Sequence, residues 1–134
     1  MKQISKIAVI YSATRKTDKA LSKVKEIIES LNSEIILSSN IKKLDSKAFK
    51  KASKAELILV LGGDGTMIGS IRSLYSLNVP FLGINSGTVG FLTDLSLSKI
   101  EKLKDILKGS YSKESRPIFE AHSSLKKKEI FLNE

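Results

Sequence analysis

The sequence predicts an α/β domain built on a doubly wound, mostly parallel β-sheet. Short apolar runs of strand length alternate with longer segments in which apolar residues recur at helical spacing. The strongest run, residues 56–61, is apolar after its first residue, which is typical of a strand covered on both faces. Strands and helices that alternate in the order βαβαβαβα indicate a parallel sheet with helices packed on both sides.

Four strands and four helices follow from these patterns. The strands are predicted at residues 6–11, 34–38, 56–61 and 79–84, and the helices at residues 17–31, 45–53, 66–77 and 98–108. Asp18 lies in the first turn of the first helix, and Asp45 is the expected N-cap of the second. In the last helix, Ser98 and Glu101 are spaced for a capping box, and Gly109 is expected just past its end.

The pattern changes after Arg116-Pro117. Residues 118–123 and 129–133 are predicted to be two strands around a Lys-rich turn, with no helix after them. An isolated hairpin is only marginally stable in water. We therefore expect an α/β domain over residues 1–115, followed over residues 116–134 by the beginning of a β-rich domain that is incomplete in this chain.

Composition excludes several kinds of chemistry. The 134 residues contain no cysteine and one histidine, His122, so disulfides, cysteine zinc sites and cysteine nucleophiles are absent. We expect His122 to be structural. No apolar run reaches the roughly 18 residues of a membrane helix, and the N-terminus does not resemble a signal peptide, which favours a cytoplasmic protein.

The net charge of +9 raises the question of a nucleic-acid partner. Every lysine lies outside residues 55–98, on predicted helix faces and turns, and the few aromatic residues do not interleave with them. This distribution favours a solvated basic surface over a nucleic-acid surface, and we expect neither a nucleic-acid partner nor a membrane.

Seven of the eight glycines fall between Gly62 and Gly90. One loop, residues 62–66 (Gly-Gly-Asp-Gly-Thr), follows the strongest strand, and a second, residues 83–92, follows the next strand along the chain. Both lie at the carboxyl ends of predicted parallel strands, where open α/β sheets bind their ligands.

The first glycine loop suits a phosphate group, with a carboxylate at its centre. Glycines allow close approach to a ligand, and the N-terminus of the following helix favours an anion. Thr66 could cap that helix or bind a phosphate oxygen. Asp64 would repel phosphate unless it holds Mg²⁺ or accepts a proton from an attacking hydroxyl; the alternative is a tight turn closed by an Asx bond at Asp64. The loop has neither the Gly-Lys-Ser/Thr of a Walker A motif nor the spacing of a dinucleotide-binding fingerprint.

Residues 61–67 resemble the GGDGT motif that NAD kinases share with diacylglycerol and sphingosine kinases and, more distantly, with phosphofructokinases. Residues 83–94 resemble the narrower GxNxGxxGFLxD segment of NAD kinases. Arg116 and the closing Asn133-Glu134 also fit that family. The resemblance covers essentially the whole chain and is most specific at residues 61–94.

The resemblance implies a phosphotransferase that uses ATP or polyphosphate and Mg²⁺ to phosphorylate the 2′-hydroxyl of the adenosine ribose of NAD. Asp64 would contact the acceptor ribose and act as the catalytic base. Phe91 would line the adenine pocket, and Glu134 would bind NAD near the metal. The full set of residues implied to bind substrates is Gly62, Gly63, Gly65, Thr66, Asn85, Gly87, Phe91, Asn133 and Glu134. Family members form dimers or tetramers and continue into a full β-rich domain, so this chain would be the N-terminal part of such an enzyme.

Two other functions stay open on the sequence alone. A lipid kinase would share the first glycine loop but would need an apolar acceptor groove or membrane face. A nucleotide-binding fragment without activity would agree with the short chain. Two residues also keep alternative interpretations: Arg72 is either a substrate-side base or a solvated helix residue, and Asp94 either binds a ligand or orients its loop.

Overall fold

A computed structural model describes residues 2–86, 90–122 and 128–132. The described residues form a five-stranded parallel sheet in the order β2-β1-β3-β4-β5, which confirms the predicted α/β fold. The strands are β1 (Lys6–Tyr11), β2 (Glu34–Asn40), β3 (Leu57–Leu61), β4 (Phe81–Asn85) and β5 (Leu95–Ser96). The helices are α1 (Arg15–Ser30), α2 (Ser46–Ala52), α3 (Asp64–Leu74) and α4 (Lys102–Leu107).

The core lies in two layers, one on each face of the sheet. Strand β3, at the centre, is buried along its whole length, as its apolar sequence predicts. Alternate residues of a strand point to opposite faces. Ile7 and Val9 of β1 therefore pack in the layer that contains α1 and α4, whereas Ala8 and Ile10 pack in the layer that contains α2 and α3. Both layers hold β3 in place and so fix the loop that follows it.

Strand β2 forms one edge of the sheet and carries a β-bulge. Ile7 pairs with Ile35 and Ala8 pairs with Leu37, so Ile36 is an extra residue on the β2 side. Such a bulge locally bends the strand and increases its twist.

Helix α1 begins at Arg15, two residues before the predicted start, because Thr14 caps it. The Thr17 amide donates to Thr14 Oγ1 over 3.2 Å, and the Thr14 amide donates to Thr17 Oγ1 over 2.9 Å. The pair forms a closed capping box made of two threonines. The predicted cap of α2 is confirmed, since Asp45 Oδ1 accepts from the Ala48 amide over 2.8 Å.

Helix α3 also begins two residues before its predicted start, at Asp64. Its N-cap is Gly63, and no side chain caps it, so the first of the two alternatives for Thr66, capping this helix, is wrong. A 3₁₀ turn, Tyr75–Leu77, follows the helix. This helical segment ends at Asn78, whose backbone is left-handed (φ 56°). Asn78 thus ends the helical segment where the sequence predicts.

The capping box predicted for the fourth helix does not form. Residues Leu97–Lys99 make a 3₁₀ turn and α4 begins only at Lys102. Ser98 Oγ instead lies 2.8 Å from Ser96 Oγ, and Glu101 pairs with Lys104 at 3.0 Å, one helical turn along. Gly109 has a positive φ of 104° just past the end of α4, which confirms its predicted role.

The last described elements are two antiparallel strands, β6 (Ile118–His122) and β7 (Lys128–Leu132), in which Ile118 pairs with Leu132. Strand β7 lies beside α3. The Lys-rich turn predicted between the two strands falls outside the described residues. Among the described residues, no helix has the length and apolar character needed to cross a membrane.

Candidate functional site

The two glycine loops meet at the carboxyl edge of the sheet. Strands β3 and β4 are neighbours, so the loops that leave them start side by side. The Gly62 amide, just past β3, donates to the Ile84 carbonyl of β4 over 3.1 Å. The chain then returns from the second loop into β5, which pairs with the last two residues of β4.

Asp64 joins the two loops directly. Its Oδ2 accepts a hydrogen bond from the Phe91 amide over 2.9 Å, and its Oδ1 accepts one from the Leu92 amide over 3.0 Å. These partners lie 27 and 28 residues along the chain. Among the hydrogen bonds of the described residues, the Asp64 carboxylate therefore bonds to the second loop and not within its own turn, as the Asx alternative would require.

The glycines at this edge fall into two groups. At three of them a β-carbon would collide with a neighbouring group. A β-carbon on Gly62 would lie 2.6 Å from Thr66 Oγ1, one on Gly83 would lie 3.0 Å from the Thr93 Cα, and one on Gly90 would lie 2.4 Å from Asp64 Oδ1. These glycines are required by the packing of the chain itself.

Gly63 and Gly65 form the other group, because the space beside them is open. Among the described residues, apart from the chain neighbours and the backbone of α3 itself, no atom lies within 4 Å of a β-carbon built at Gly65, and the nearest to one built at Gly63 is the Asn85 amide nitrogen, at 4.0 Å. Gly65 is exposed, and both residues lie at the start of α3. Their bare backbone faces space that a ligand can enter, at a helix N-terminus that favours an anion.

Thr93 and Asp94 fasten the end of the second loop to β4. The buried Thr93 hydroxyl accepts from the Gly90 amide over 2.9 Å and lies 3.4 Å from Asn85 Nδ2. Gly83 and Asp94 bond reciprocally, with the Gly83 amide donating to Asp94 Oδ2 over 2.9 Å and the Asp94 amide donating to the Gly83 carbonyl over 2.8 Å. Of the two alternatives for Asp94, these bonds correspond to the one in which it orients its loop.

Partial burial of the Asp94 carboxyl raises its pKa, and the Gly83 amide and the charge of Arg116 oppose that effect. The residue as a whole is exposed. Its carboxyl is therefore withdrawn from water only on the side that faces β4.

The remaining predicted residues divide between the site and the part of the chain that is not described. Asp64, Thr66 and Asn85 are half-buried at the loop edge, and Phe91 projects into solvent with 82% of its surface exposed. Gly87, Asn133 and Glu134 lie outside the described residues. No role is predicted from the sequence for Gly90 or Thr93, although both lie within the second motif. The contact between Gly90 and the Asp64 carboxylate leaves no signal in the local sequence.

The geometry defines a class of protein: a doubly wound α/β domain whose carboxyl edge presents open glycine backbone, a helix N-terminus and a carboxylate. Residues 5–111 match the ATP-NAD kinase N-terminal domain. The chain belongs to this family.

Named relatives agree with that assignment. An NAD kinase of Coxiella burnetii (strain RSA 493 / Nine Mile phase I) is 36% identical over 107 residues, which is 75% of this chain and 36% of the relative. An NAD kinase of Aromatoleum aromaticum is 49% identical over 70 residues, 52% of this chain and 23% of the relative. The chain thus matches roughly a quarter to a third of the length of these relatives.

Solved structures confirm the fold. An NAD kinase from Archaeoglobus fulgidus in complex with ATP superposes with a TM-score of 0.65 at 22% identity, over 89% of this chain and 43% of that one. A yeast NADH kinase complexed with NADH gives 0.62 at 15% identity, over 98% of this chain and 47% of that one.

Proposed function

We propose that this chain is the N-terminal part of an NAD kinase, which transfers a phosphoryl group from ATP or polyphosphate to the 2′-hydroxyl of the adenosine ribose of NAD. The observation that carries the proposal is the open backbone of Gly63 and Gly65 on either side of the Asp64 carboxylate. A phosphate can approach the backbone there while a hydroxyl approaches the acid, and phosphoryl transfer needs both groups together.

Asp64 is the proposed catalytic base. Each carboxylate oxygen has two acceptor sites, and the structure uses one on each oxygen for the Phe91 and Leu92 amides. A ribose hydroxyl can therefore bond to the same carboxylate without breaking the contacts that orient it. In phosphoryl transfer the protein contributes mainly by positioning and by electrostatic stabilisation, and a fixed carboxylate fits the first of these tasks.

The other site residues are proposed to bind substrates. Gly62, Gly63, Gly65 and Thr66 would lie against phosphates at the N-terminus of α3. Asn85 and Gly87 would contact NAD from the second loop, and Phe91, exposed on that loop, would cover the adenine. Asn133 and Glu134 complete the proposed NAD site at the other end of the chain.

Mg²⁺ is proposed to neutralise the donor phosphates. The described residues contain no cluster of three or more His, Cys, Asp or Glu side chains that could hold a metal ion. Mg²⁺ commonly keeps several waters and binds through one or two carboxylates together with substrate phosphates, so the site is compatible with an ion carried mainly by the donor. We assign no described residue to it as a ligand.

The wider features of the proposal come from the sequence pattern and composition and from the family resemblance. They are an α/β nucleotide-binding domain at residues 1–115, the beginning of a β-rich domain at residues 116–134, dimers or tetramers, a cytoplasmic location, a role in NADP biosynthesis, and no nucleic-acid or membrane partner.

A coupled assay for NADP formation tests the proposal. The 134-residue chain and the complete reading frame that contains it would each be supplied with NAD, Mg²⁺ and either ATP or polyphosphate. We expect NADP from the complete reading frame, and the comparison shows whether the chain alone suffices. Parallel reactions with diacylglycerol and sphingosine test the lipid-kinase alternative. Lipid phosphorylation, or nucleotide binding without NADP formation, would overturn the proposal.

A further inference from the structure

We infer that Asp64 and Gly90 form one coupled positioning unit, in which the carboxylate fixes the second glycine loop and the missing side chain at Gly90 allows it to do so. Gly90 is thereby a positioning residue for the proposed reaction. The consequence for catalysis rests on the proposed function, whereas the coupling is a property of the ligand-free chain.

Two successive backbone amides point at one side chain. The Phe91 amide donates to Asp64 Oδ2 over 2.9 Å and the Leu92 amide donates to Asp64 Oδ1 over 3.0 Å, so both oxygens of the carboxylate are held. Consecutive amides arranged in this way form an anion-binding concavity. Hydrogen bonds from neutral donors to an ionised group are stronger than those between neutral groups, so this contact is well suited to fixing a loop.

Gly90 supplies the space for this contact. A β-carbon there would lie 2.4 Å from Asp64 Oδ1, 2.5 Å from Oδ2 and 2.6 Å from Cγ, all far inside van der Waals contact. The backbone of Gly90 is not among those with positive φ, so its conformation alone would allow a side chain. The glycine is therefore required by the carboxylate and not by a left-handed turn.

The Gly90 backbone is also tied to the end of its loop. Its amide donates to the hydroxyl of Thr93, which is 4% exposed and lies near Asn85 on β4. A side chain at position 90 would therefore displace the Asp64 carboxylate before it displaced the loop. That displacement would move the proposed base from the acceptor hydroxyl and loosen the segment that presents Phe91.

A double-mutant cycle measures the coupling. Gly90→Ala, Asp64→Ala and the double variant would be compared with the unmodified chain by amide hydrogen exchange without ligand. Each single variant should speed exchange at Phe91 and Leu92 by about tenfold or more, as expected for loss of a hydrogen bond to a charged acceptor. The double variant should be no faster than Asp64→Ala alone, because the carboxylate that collides with the new methyl group has gone.

Gly65→Ala is the matched control. It adds the same methyl group to a glycine of the same site, one residue from Asp64, where no described atom beyond the chain neighbours and the backbone of α3 lies within 4 Å. We expect exchange at Phe91 and Leu92 to stay unchanged in this variant. If Gly90→Ala fails to fold, recovery of folding by the added Asp64→Ala change supports the inference, and failure to recover overturns it. Unchanged exchange in Gly90→Ala, or effects that simply add in the double variant, would also overturn it.

Kinetics on the complete reading frame separate this inference from the proposed function. Gly90→Ala should lower kcat, and in the Asp64→Ala background it should lower it no further. If the cycle shows coupling in the exchange data and no variant or parent makes NADP, the proposed function fails and the positioning unit stands.

Discussion

Two strand-to-helix junctions at the same edge of the sheet start their helices in opposite ways. Between β1 and α1, Thr14 and Thr17 satisfy each other's backbone amides and close the helix end with the chain's own side chains. Between β3 and α3, the N-cap is Gly63 and no side chain caps the helix. The first acid of α3, Asp64, bonds to the second glycine loop instead.

The contrast shows how the same local structure serves two purposes. A capped junction satisfies its own first backbone amides without a ligand, and the cap stabilises the helix. A junction with a glycine cap leaves the first backbone amides of the helix without a side-chain acceptor, so that they can bind an anion from outside. Of these two junctions, the one without a proposed ligand has a side-chain cap, and the one at the candidate site has none.

We expect the largest effect from a substitution at the β3–α3 junction that removes the charge of Asp64. Asp64→Asn in the complete reading frame should lower kcat by about 10²–10⁴-fold, the usual range for loss of a general base. Asparagine also offers one acceptor oxygen where two amides donate, so we expect NAD binding to weaken by about tenfold as the loop loosens. Steady-state kinetics and calorimetry measure both, with Glu26→Gln on the exposed face of α1 as the control. Near-normal kcat would remove the catalytic assignment.

Gly62→Ala should destabilise the same junction by a steric clash. The new β-carbon would lie 2.6 Å from Thr66 Oγ1 and 2.8 Å from Thr66 Cβ, at a residue with φ 157°. We expect a loss of about 1–3 kcal/mol in the free energy of unfolding, the usual cost of overpacking, measured by urea denaturation. Ser12 occupies the corresponding place after β1 and already carries a side chain, so Ser12→Ala should change stability by less than about 0.5 kcal/mol. Equal effects at the two positions would contradict the comparison.

At the β1–α1 junction, Thr14→Ala should lower the free energy of unfolding by about 1 kcal/mol, because the Thr17 amide loses its acceptor. Thr14→Ser keeps the hydroxyl and serves as the control. Substrate affinity should stay unchanged in both variants. A large fall in affinity for Thr14→Ala would show that this junction also binds a ligand.

The smallest effect comes from giving α3 the cap it lacks. Gly63→Ser has room for its side chain and should stabilise the ligand-free chain by a few tenths of a kcal/mol. The added hydroxyl would compete for the amides at the start of the helix, so nucleotide affinity should fall. Gly63→Ala adds the β-carbon without the hydroxyl and separates crowding from capping. Higher stability with full affinity would argue against a phosphate at this helix end.

The sequence was most informative where burial dominates. Strand β3 is apolar throughout and was placed to within one residue, and Asp45 capped α2 as predicted. The start of α1 was missed because the partner of Thr14 is a second threonine, Thr17, and not the usual Glu or Gln. Strand β5 has only two residues, too few to show any periodicity.

The site was predicted less completely, for a different reason. The motifs identified Asp64 and placed both glycine loops at one edge, because the order of strands and helices determines which loops leave the same side of a sheet. The bond from Asp64 to the Phe91 and Leu92 amides joins residues 27 and 28 positions apart. Such a contact depends on how the loops pack, and periodicity and propensity carry no information about it.

The extra residue in β2 bears on solubility. An edge strand presents unpaired backbone groups to which a strand from another molecule can add, and flat apolar edges are the most prone to such aggregation. Strand β2 has an apolar first half, and Ile36 interrupts its register there. Because a bulge increases the local twist of a strand, it disfavours the flat geometry that an incoming strand from another molecule requires.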